Sequence, residues 1–457
     1  MESNIKSIHH DLASGKRSCL DIVQEKLFLL RENTYHTVNL LLEETAIAEA
    51  KKVDEKIKSG KPIGLLEGVP FGIKDVILLQ NSIATGSSDF LKDYVSPYTA
   101  TAIQKLIDAG AIPIVKENCD SFGNGNTSEN TVFGSVSNAT DASKVAGGSS
   151  GGSAVNVAKG YTAFSIGVDS GGSIRQPAGF NKIVGMKPTY GRVSRYGIMS
   201  NVSSTDCVGP LTVSLEDIRI LLNAMSGKDG NDPTTCSSSM IPETVFDSGY
   251  LSKEIVAGYY PGFLDNAYID DTIKSDFQKM LDRLSAKGIK IKSLDFFDIP
   301  VLVSVYYILA MAEEASNLAR LDGSLYGSRS NRASNFSNET KSRIIGGNKA
   351  LSCENLETIY LKAKSIRNAM IDSFNTGFKE VDVILSPVST TLPPVIGSSL
   401  DHPLAMYFSD AFTAGFSLGG LPTLSVPFFT QTGIQIASNK NQEDLILNFA
   451  HALKEIQ

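Results

Sequence analysis

Gly147-Gly148-Ser149-Ser150-Gly151-Gly152-Ser153 is followed, after one helical stretch and one apolar run, by Asp169-Ser170-Gly171-Gly172-Ser173-Ile174-Arg175-Gln176-Pro177. The segments around these two glycine loops set the fold. Residues 154–159 read as a short helix stopped by Gly160, and residues 162–168 as an apolar strand. Residues 169–173 then make a tight turn. Ile174 opens another helical piece, and residues 183–186 read as a short strand before Pro188. Upstream, Val69, Phe71 and Ile73 alternate with other residues as in a strand, with Lys74 at its end. Residues 101–109 read as a helix closed by Gly110, and residues 111–115 as a buried strand. A helix leading into a parallel-type strand is half of a βαβ unit.

The pattern continues outward. Leu20, Ile22, Val23, Leu27 and Leu30 recur at helical spacing, and residues 46–58 continue as a charged helix. Residues 1–60 are therefore expected to form an N-terminal helical segment packed on a core of residues 61–457, one domain overall. Further helices are predicted at Leu215–Met225, 272–287, 306–320 and 443–456, and a strand at 381–385. Strands alternate with helices, which predicts an α/β domain with a mixed β-sheet covered by helices on both faces. Ser/Asn-rich stretches at 228–239 and 327–338 read as surface loops.

Composition narrows the chemistry. The chain has 457 residues, 42% hydrophobic and 20% charged, with a net charge of -7. Phosphate binding rests on clustered Lys and Arg, so this acidic chain is not expected to grip nucleic acid alone. Cys19, Cys119, Cys207, Cys236 and Cys353 form no CxxC pair, so they read as reduced thiols, with no metal site. No apolar run reads as long enough to span a bilayer. Residues 1–13, with Glu2 and Asp11, do not resemble a signal peptide or an Arg-rich presequence.

The histidines are His9, His10, His36, His402 and His451, none in a motif-like setting. A Ser-His-Asp site needs a histidine to take the serine proton, so an activated serine here calls for a different base. The glycines allow close backbone approach to a substrate. The second loop places successive N–H groups between a strand end and a helix start, a natural nest for a developing oxyanion. A flexible linker is the bland alternative, but each loop sits directly beside predicted helix or strand. On its own, the first loop fits the G-x-S-x-G nucleophile elbow, which would make Ser149 an esterase nucleophile with His402 as base. It lacks the Lys-Ser/Thr of a phosphate loop.

Lys74 in Gly72-Ile73-Lys74-Asp75, Ser149 and Ser173, in this order and spacing, resemble the amidase signature family, over about residues 22–449. The resemblance implies a single amidase-signature domain with a Ser-cisSer-Lys triad. Ser173 would be the nucleophile and form an acyl-enzyme. Ser149, after a cis bond to Gly148, would bridge it to Lys74. Lys74 would be the general base, and the N–H groups of Ser170, Gly171, Gly172 and Ser173 would form the oxyanion hole. A free lysine has a pKa of about 10.4, so Lys74 needs burial or a nearby cation to become a base. Arg175 is a candidate neighbour, unless Asp169 ties it up.

The C-terminal half narrows the resemblance. Tyr306-Tyr307-Ile308, the stretches 314–323, 342–346 and 407–413, and Gly419-Gly420-Leu421-Pro422 are similar to the A subunits of glutamyl-tRNA(Gln) amidotransferases. That group implies hydrolysis of glutamine to glutamate and ammonia. Arg343 would hold the α-carboxylate and Asp410 the α-ammonium, with Tyr306 lining the pocket. The competing reading of Arg343 and Asp410 is a structural ion pair or solvated charge. The group also implies a B-type partner that uses ATP and Mg2+ to convert mischarged Glu-tRNA(Gln) to Gln-tRNA(Gln), a small third subunit (C-like or fungal F-like), and tRNA reached only through the complex. No cofactor is expected in this chain.

Ser170 replaces the group's usual Thr, residues 328–342 form a shortened loop, and 117–124 and 346–349 diverge. A shortened, drifted sequence suggests a mitochondrial matrix copy of fungal type, with a bacterial cytoplasm as the alternative. The rival functions are a stand-alone amidase of small acyl amides and a non-catalytic assembly role. The intact Lys-Ser-Ser set argues against the second.

Overall fold

The apolar runs collect into one sheet. The computed structural model describes residues 2–246, 254–265, 267–321, 336–398, 403–428 and 432–453. His402, Asp322, Gly323, most of the predicted 327–338 loop and the end of the last predicted helix lie outside the described residues. The strands are β1 (Val38–Leu41), β2 (Pro70–Lys74), β3 (Ile112–Glu117), β4 (Phe164–Asp169), β5 (Val184–Lys187) and β6 (Cys207–Thr212). They continue with β7 (Val256–Tyr259), β8 (Lys290–Ser293), β9 (Val383–Pro387), β10 (Thr423–Pro427) and β11 (Gly433–Ser438). Their order is β1-β3-β2-β4-β6-β5-β10-β11-β9-β7-β8, an 11-stranded sheet. β2 runs parallel to β3 and β4, and β7 parallel to β8 and β9. The remaining pairs are antiparallel. This is a single α/β domain, its large mixed sheet flanked by helices, as expected.

The parallel pairing of β2 and β4 positions the site. Strands that run the same way end on the same side of a sheet. Lys74, last in β2, therefore lies beside the turn that follows Asp169, last in β4. The register puts Gly72 opposite Ser165 on β4 and beside Val115 on β3. Phe71 and Phe164 stack across the pair with centroids 5.0 Å apart, a contact worth about 0.5–1.5 kcal/mol beyond its area.

Residues 1–60 contain more than helices. Helices Asn4–Ala13, Cys19–Arg31 and Glu43–Lys58 are present, but β1 lies among them, antiparallel to β3 at the sheet edge. Its four residues are too few to show a period. Ser3 and Ser18 cap the first two helices by accepting from Lys6 and Asp21 N–H. Cys19, Ile22, Val23, Leu27 and Leu30 then pack with Ala46, Ala50 and Val53 against β3.

The helix predicted at 306–320 runs over Ile299–Leu318 instead. Pro300 stands in its first turn, where a missing N–H costs nothing. Contrary to the expectation that no run could span a bilayer, its 20 residues are long and apolar enough by length and composition. Burial explains the apolarity, since 61% of its most apolar window lies inside the protein. Leu302, Val305, Tyr306 and Leu309 belong to the main core.

Gly72 tests the packing of β2. A Cβ built there would lie 1.9 Å from Glu117 Oε1 and 2.8 Å from Ser165 Oγ. Glu117 is buried and cannot swing into solvent. Gly72→Ala is expected to cost about 1–3 kcal/mol, read as a lower urea midpoint. An unchanged midpoint would contradict this packing.

Candidate active site

Lys74 is 1% exposed. Its Nζ donates to Ser149 Oγ at 2.6 Å and to the Val168 carbonyl at 3.4 Å. Burial pushes its pKa down from the ordinary 10.5, while the buried groups Cys119, Asp120, Asp169 and Asp206 oppose the shift. Lys74 is thus lowered by desolvation and not by a neighbouring cation.

The Gly148–Ser149 peptide bond is cis. Gly148 donates its N–H to Gln176 Oε1 at 3.1 Å. Ser128 Oγ accepts from Gly151 N–H and donates to the Gly147 carbonyl. A Cβ at Gly148 would meet Asp120 Oδ2 at 2.3 Å, so only glycine fits against that buried carboxyl. Helix Gly151–Ala158 starts directly after Ser150.

The second loop is organised by Asp169. It accepts from Gly172 N–H at 2.8 Å and Ile174 N–H at 3.1 Å, and it pairs with Arg175 at 2.9 Å. Both side chains of the pair are fully buried. Burial alone would raise the Asp169 pKa, but Arg175, with Lys187 and the Ile174 N–H, together outweigh it and hold the carboxyl below its ordinary value. Arg175 also donates to the Thr413 carbonyl, Gln435 Oε1 and Ser417 Oγ. It is therefore committed to Asp169, the second of the two possibilities for this residue.

Ser173 is 9% exposed. Its carbonyl accepts from Ser150 N–H at 3.1 Å, which sets the two loops side by side. Among the described residues its hydroxyl has no hydrogen-bond partner, and the N–H groups of Ser170, Gly171 and Ser173 meet no acceptor. The Gly172 N–H is taken by Asp169, so the expected set of free amides loses that member. Gly172 has φ +144°, and a Cβ there would meet Thr413 Oγ1 at 2.3 Å. A Cβ on Gly171 would meet the Tyr306 hydroxyl at 2.1 Å. Tyr306 thus closes over the turn.

The charged residues expected to read the substrate lie nearby, but in different states. Arg343 Nη1 donates to Glu314 Oε1 at 2.8 Å and its Nε to Glu339 Oε1 at 2.6 Å. Its guanidinium lies 5.5 Å from the Tyr307 ring centroid. Asp410 accepts from the Tyr307 hydroxyl at 3.0 Å and Gln176 Nε2 at 3.2 Å. Burial raises the pKa values of Asp410 and Glu314 to about 7 each. Arg343 is therefore ion-paired, with Glu314 and Glu339 and not with Asp410.

Several buried polar residues had no role in the sequence reading. Asp206 accepts from Ser170 Oγ at 2.6 Å and from the Asn201 and Val202 N–H groups. No local pattern marks it. Tyr307, Glu314 and Gln176 stood inside quoted motifs, but their partners are remote in sequence. Among the described residues, no group of three or more His, Cys, Asp or Glu side chains could hold a metal ion. A free serine hydroxyl, unpaired amides and a buried amine–serine pair together make an arrangement able to carry acyl transfer.

The Asp169–Arg175 pair bears on the stability of the whole site. Asp169→Asn would leave the buried Arg175 charge without its counter-ion. Such a break typically costs about 3–5 kcal/mol. Thermal unfolding of Asp169→Asn is expected to show a loss on that scale, and a wild-type midpoint would contradict the role given to the pair.

The Amidase family matches residues 28–447. The glutamyl-tRNA(Gln) amidotransferase A subunit of Trichodesmium erythraeum is 36% identical over 99% of this chain and 98% of its own length. The crystal structure of the glutamyl-tRNA(Gln) amidotransferase A subunit of Thermotoga maritima is 29% identical, with TM-score 0.75 over 94% of this chain and 92% of that one. A crystal structure of an amidase is 28% identical, with TM-score 0.83 over 98% of both chains. With a glycine-framed serine turn beside a buried Lys-Ser pair and full-length similarity of this kind, the chain belongs to the Amidase family, in company with the A subunits of glutamyl-tRNA(Gln) amidotransferases.

Proposed function

We propose that this chain is the glutaminase subunit of a glutamyl-tRNA(Gln) amidotransferase. The observation that carries the chemistry is the buried Lys74 Nζ···Ser149 Oγ contact of 2.6 Å beside the Ser173 turn. Full-length similarity to a glutamyl-tRNA(Gln) amidotransferase subunit supports the choice of reaction.

The steps follow from these groups. Ser173 Oγ attacks the side-chain amide carbon of glutamine, and its proton passes through Ser149 to Lys74. The carbonyl electron pair moves onto oxygen, where the amides of Ser170, Gly171 and Ser173 receive it. Collapse breaks the C–N bond, and the proton held by Lys74 returns through Ser149 to the departing nitrogen as ammonia. Water then attacks the ester by the same relay and releases glutamate. Asp410 holds the α-ammonium and Tyr306 lines the pocket. Arg343 receives the α-carboxylate once one of its two carboxylate partners gives way.

A B-type subunit then uses ATP and Mg2+ to activate Glu-tRNA(Gln), and the ammonia completes Gln-tRNA(Gln). A small third subunit, C-like or F-like, joins the pair. The net charge of -7 fits a chain that meets tRNA only through the complex. The named relatives have bacterial sources, which supports a bacterial cytoplasm. A mitochondrial matrix rests on the shortened 328–342 loop and the divergent stretches 117–124 and 346–349. A stand-alone amidase would share the triad and hydrolyse simple amides without partners. The esterase reading needs Ser149 as nucleophile, whereas Ser149 Oγ is engaged by Lys74.

The test is ammonia release from glutamine by wild type and Ser173→Ala, each with a co-expressed B-type partner, ATP and Glu-tRNA(Gln). Wild type is expected to release ammonia, and Ser173→Ala to lose at least about a thousandfold in kcat. Full activity in Ser173→Ala, or hydrolysis of simple amides by the lone chain at the same rate, would overturn the reading.

A further inference from the structure

Gln176 touches three parts of the site at once and is 1% exposed. Its backbone N–H donates to the Gly172 carbonyl at 2.7 Å, tying it to the Ser173 turn. Its Oε1 accepts from Gly148 N–H at 3.1 Å, at the peptide that carries Ser149. Its Nε2 donates to Asp410 Oδ1 at 3.2 Å and to Ser409 Oγ at 3.4 Å. The amide orientation is fixed by chemistry. A backbone N–H can only donate, so the side-chain oxygen faces Gly148 and the NH2 faces the carboxyl.

We infer that Gln176 is a specificity-determining positioning residue, which locks the Ser149 peptide and the Asp410 carboxylate into one register so that acyl amides bearing an α-ammonium are placed correctly at Ser173. The inference rests on the reading that Asp410 receives that ammonium. The Gln176 side chain bonds Gly148, Ser409 and Asp410, and none of its hydrogen bonds reaches Ser173 Oγ, Ser149 Oγ or Lys74 Nζ. One end sets where the Ser149 hydroxyl sits relative to Lys74, and the other sets where Asp410 points. Tyr307 also holds Asp410, through Oδ2, and Asn126 lies against the same carboxyl. Gln176 is the donor to Oδ1 that is tied to the Ser149 peptide, so removing it loosens the carboxyl and uncouples it from that peptide. An amide that carries an ammonium for Asp410 then loses its aligned partner. An amide without one loses only the effect on Ser149.

The substrates that separate these effects are glutamine and 5-amino-5-oxopentanoate, which has the same amide and carboxylate but no α-ammonium. Ammonia release would be measured for both, with the chain in its complex with the partner subunits. Wild type is expected to prefer glutamine in kcat/KM. Gln176→Met should shrink that preference about tenfold or more. In an Asp410→Asn background, adding Gln176→Met should change the ratio no further, because the two residues act as one unit. Should the Met variant fail to assemble, Gln176→Asn, too short to reach both partners, supplies the same comparison with the same expected loss of preference. An equal loss on both substrates, with the wild-type ratio retained, would make Gln176 merely structural and overturn the inference. A wild-type enzyme with no preference for glutamine would instead remove the Asp410 reading, and this inference with it.

Discussion

The amine of Lys74 is sealed at the end of β2, and the rest of the site follows from that burial. A charged ammonium in such a place costs several kcal/mol unless a counter-charge meets it. Among the described residues, no carboxylate makes a salt bridge with Lys74. Its side-chain partner is the Ser149 hydroxyl. Burial shifts the balance towards the neutral amine, which is the state a general base requires. Arg175, one candidate cation for that role, is spent on Asp169, where it fixes the Ser173 turn and does not act on Lys74. Two buried basic groups on neighbouring elements thus do different work because only one of them has a carboxylate.

Much of this was legible in the chain. β2, β3 and β4 announce themselves as apolar runs, and the glycines of the two loops stand where a side chain would collide. Gly148 lies against Asp120 and Gly171 against Tyr306. Helix Leu215–Met225 has its predicted bounds, because Ser214 caps it and its apolar residues keep one face. Other elements were hidden for physical reasons. β6 carries Gly209 and Pro210, which read as strand breakers, yet Pro210 sits in register with Ile166 at the middle of the sheet. Gly209 is needed there, since a Cβ would meet the Met186 carbonyl at 2.1 Å. Within the site, residue identities were legible but their partners were not. No local rule says that Gly172 gives its N–H to Asp169, or that Arg343 finds Glu314 on another helix.

The charged pocket has a character of its own. Arg343 faces Glu314 and Glu339, and Asp410 lies close enough to feel its charge. Three carboxyl groups around one guanidinium leave an excess of negative charge when all are ionised. Burial answers part of it by lifting Glu314 and Asp410 to about 7. On the reading proposed above, an incoming α-carboxylate would have to compete with existing partners, whereas an α-ammonium would meet a carboxyl already oriented by Tyr307 and Gln176. In that reading the ammonium side of the pocket is the better prepared half.

The pH dependence of the first turnover tests the central claim most directly. Below its lowered pKa, Lys74 is an ammonium and cannot take the serine proton. Above it, the amine can. Ammonia release in a single turnover, measured with the complex in excess over glutamine, should rise with pH and level off below the ordinary lysine value of 10.5. A rate still climbing through that value would mean that Lys74 titrates like a solvated lysine, and the burial-driven base would be wrong.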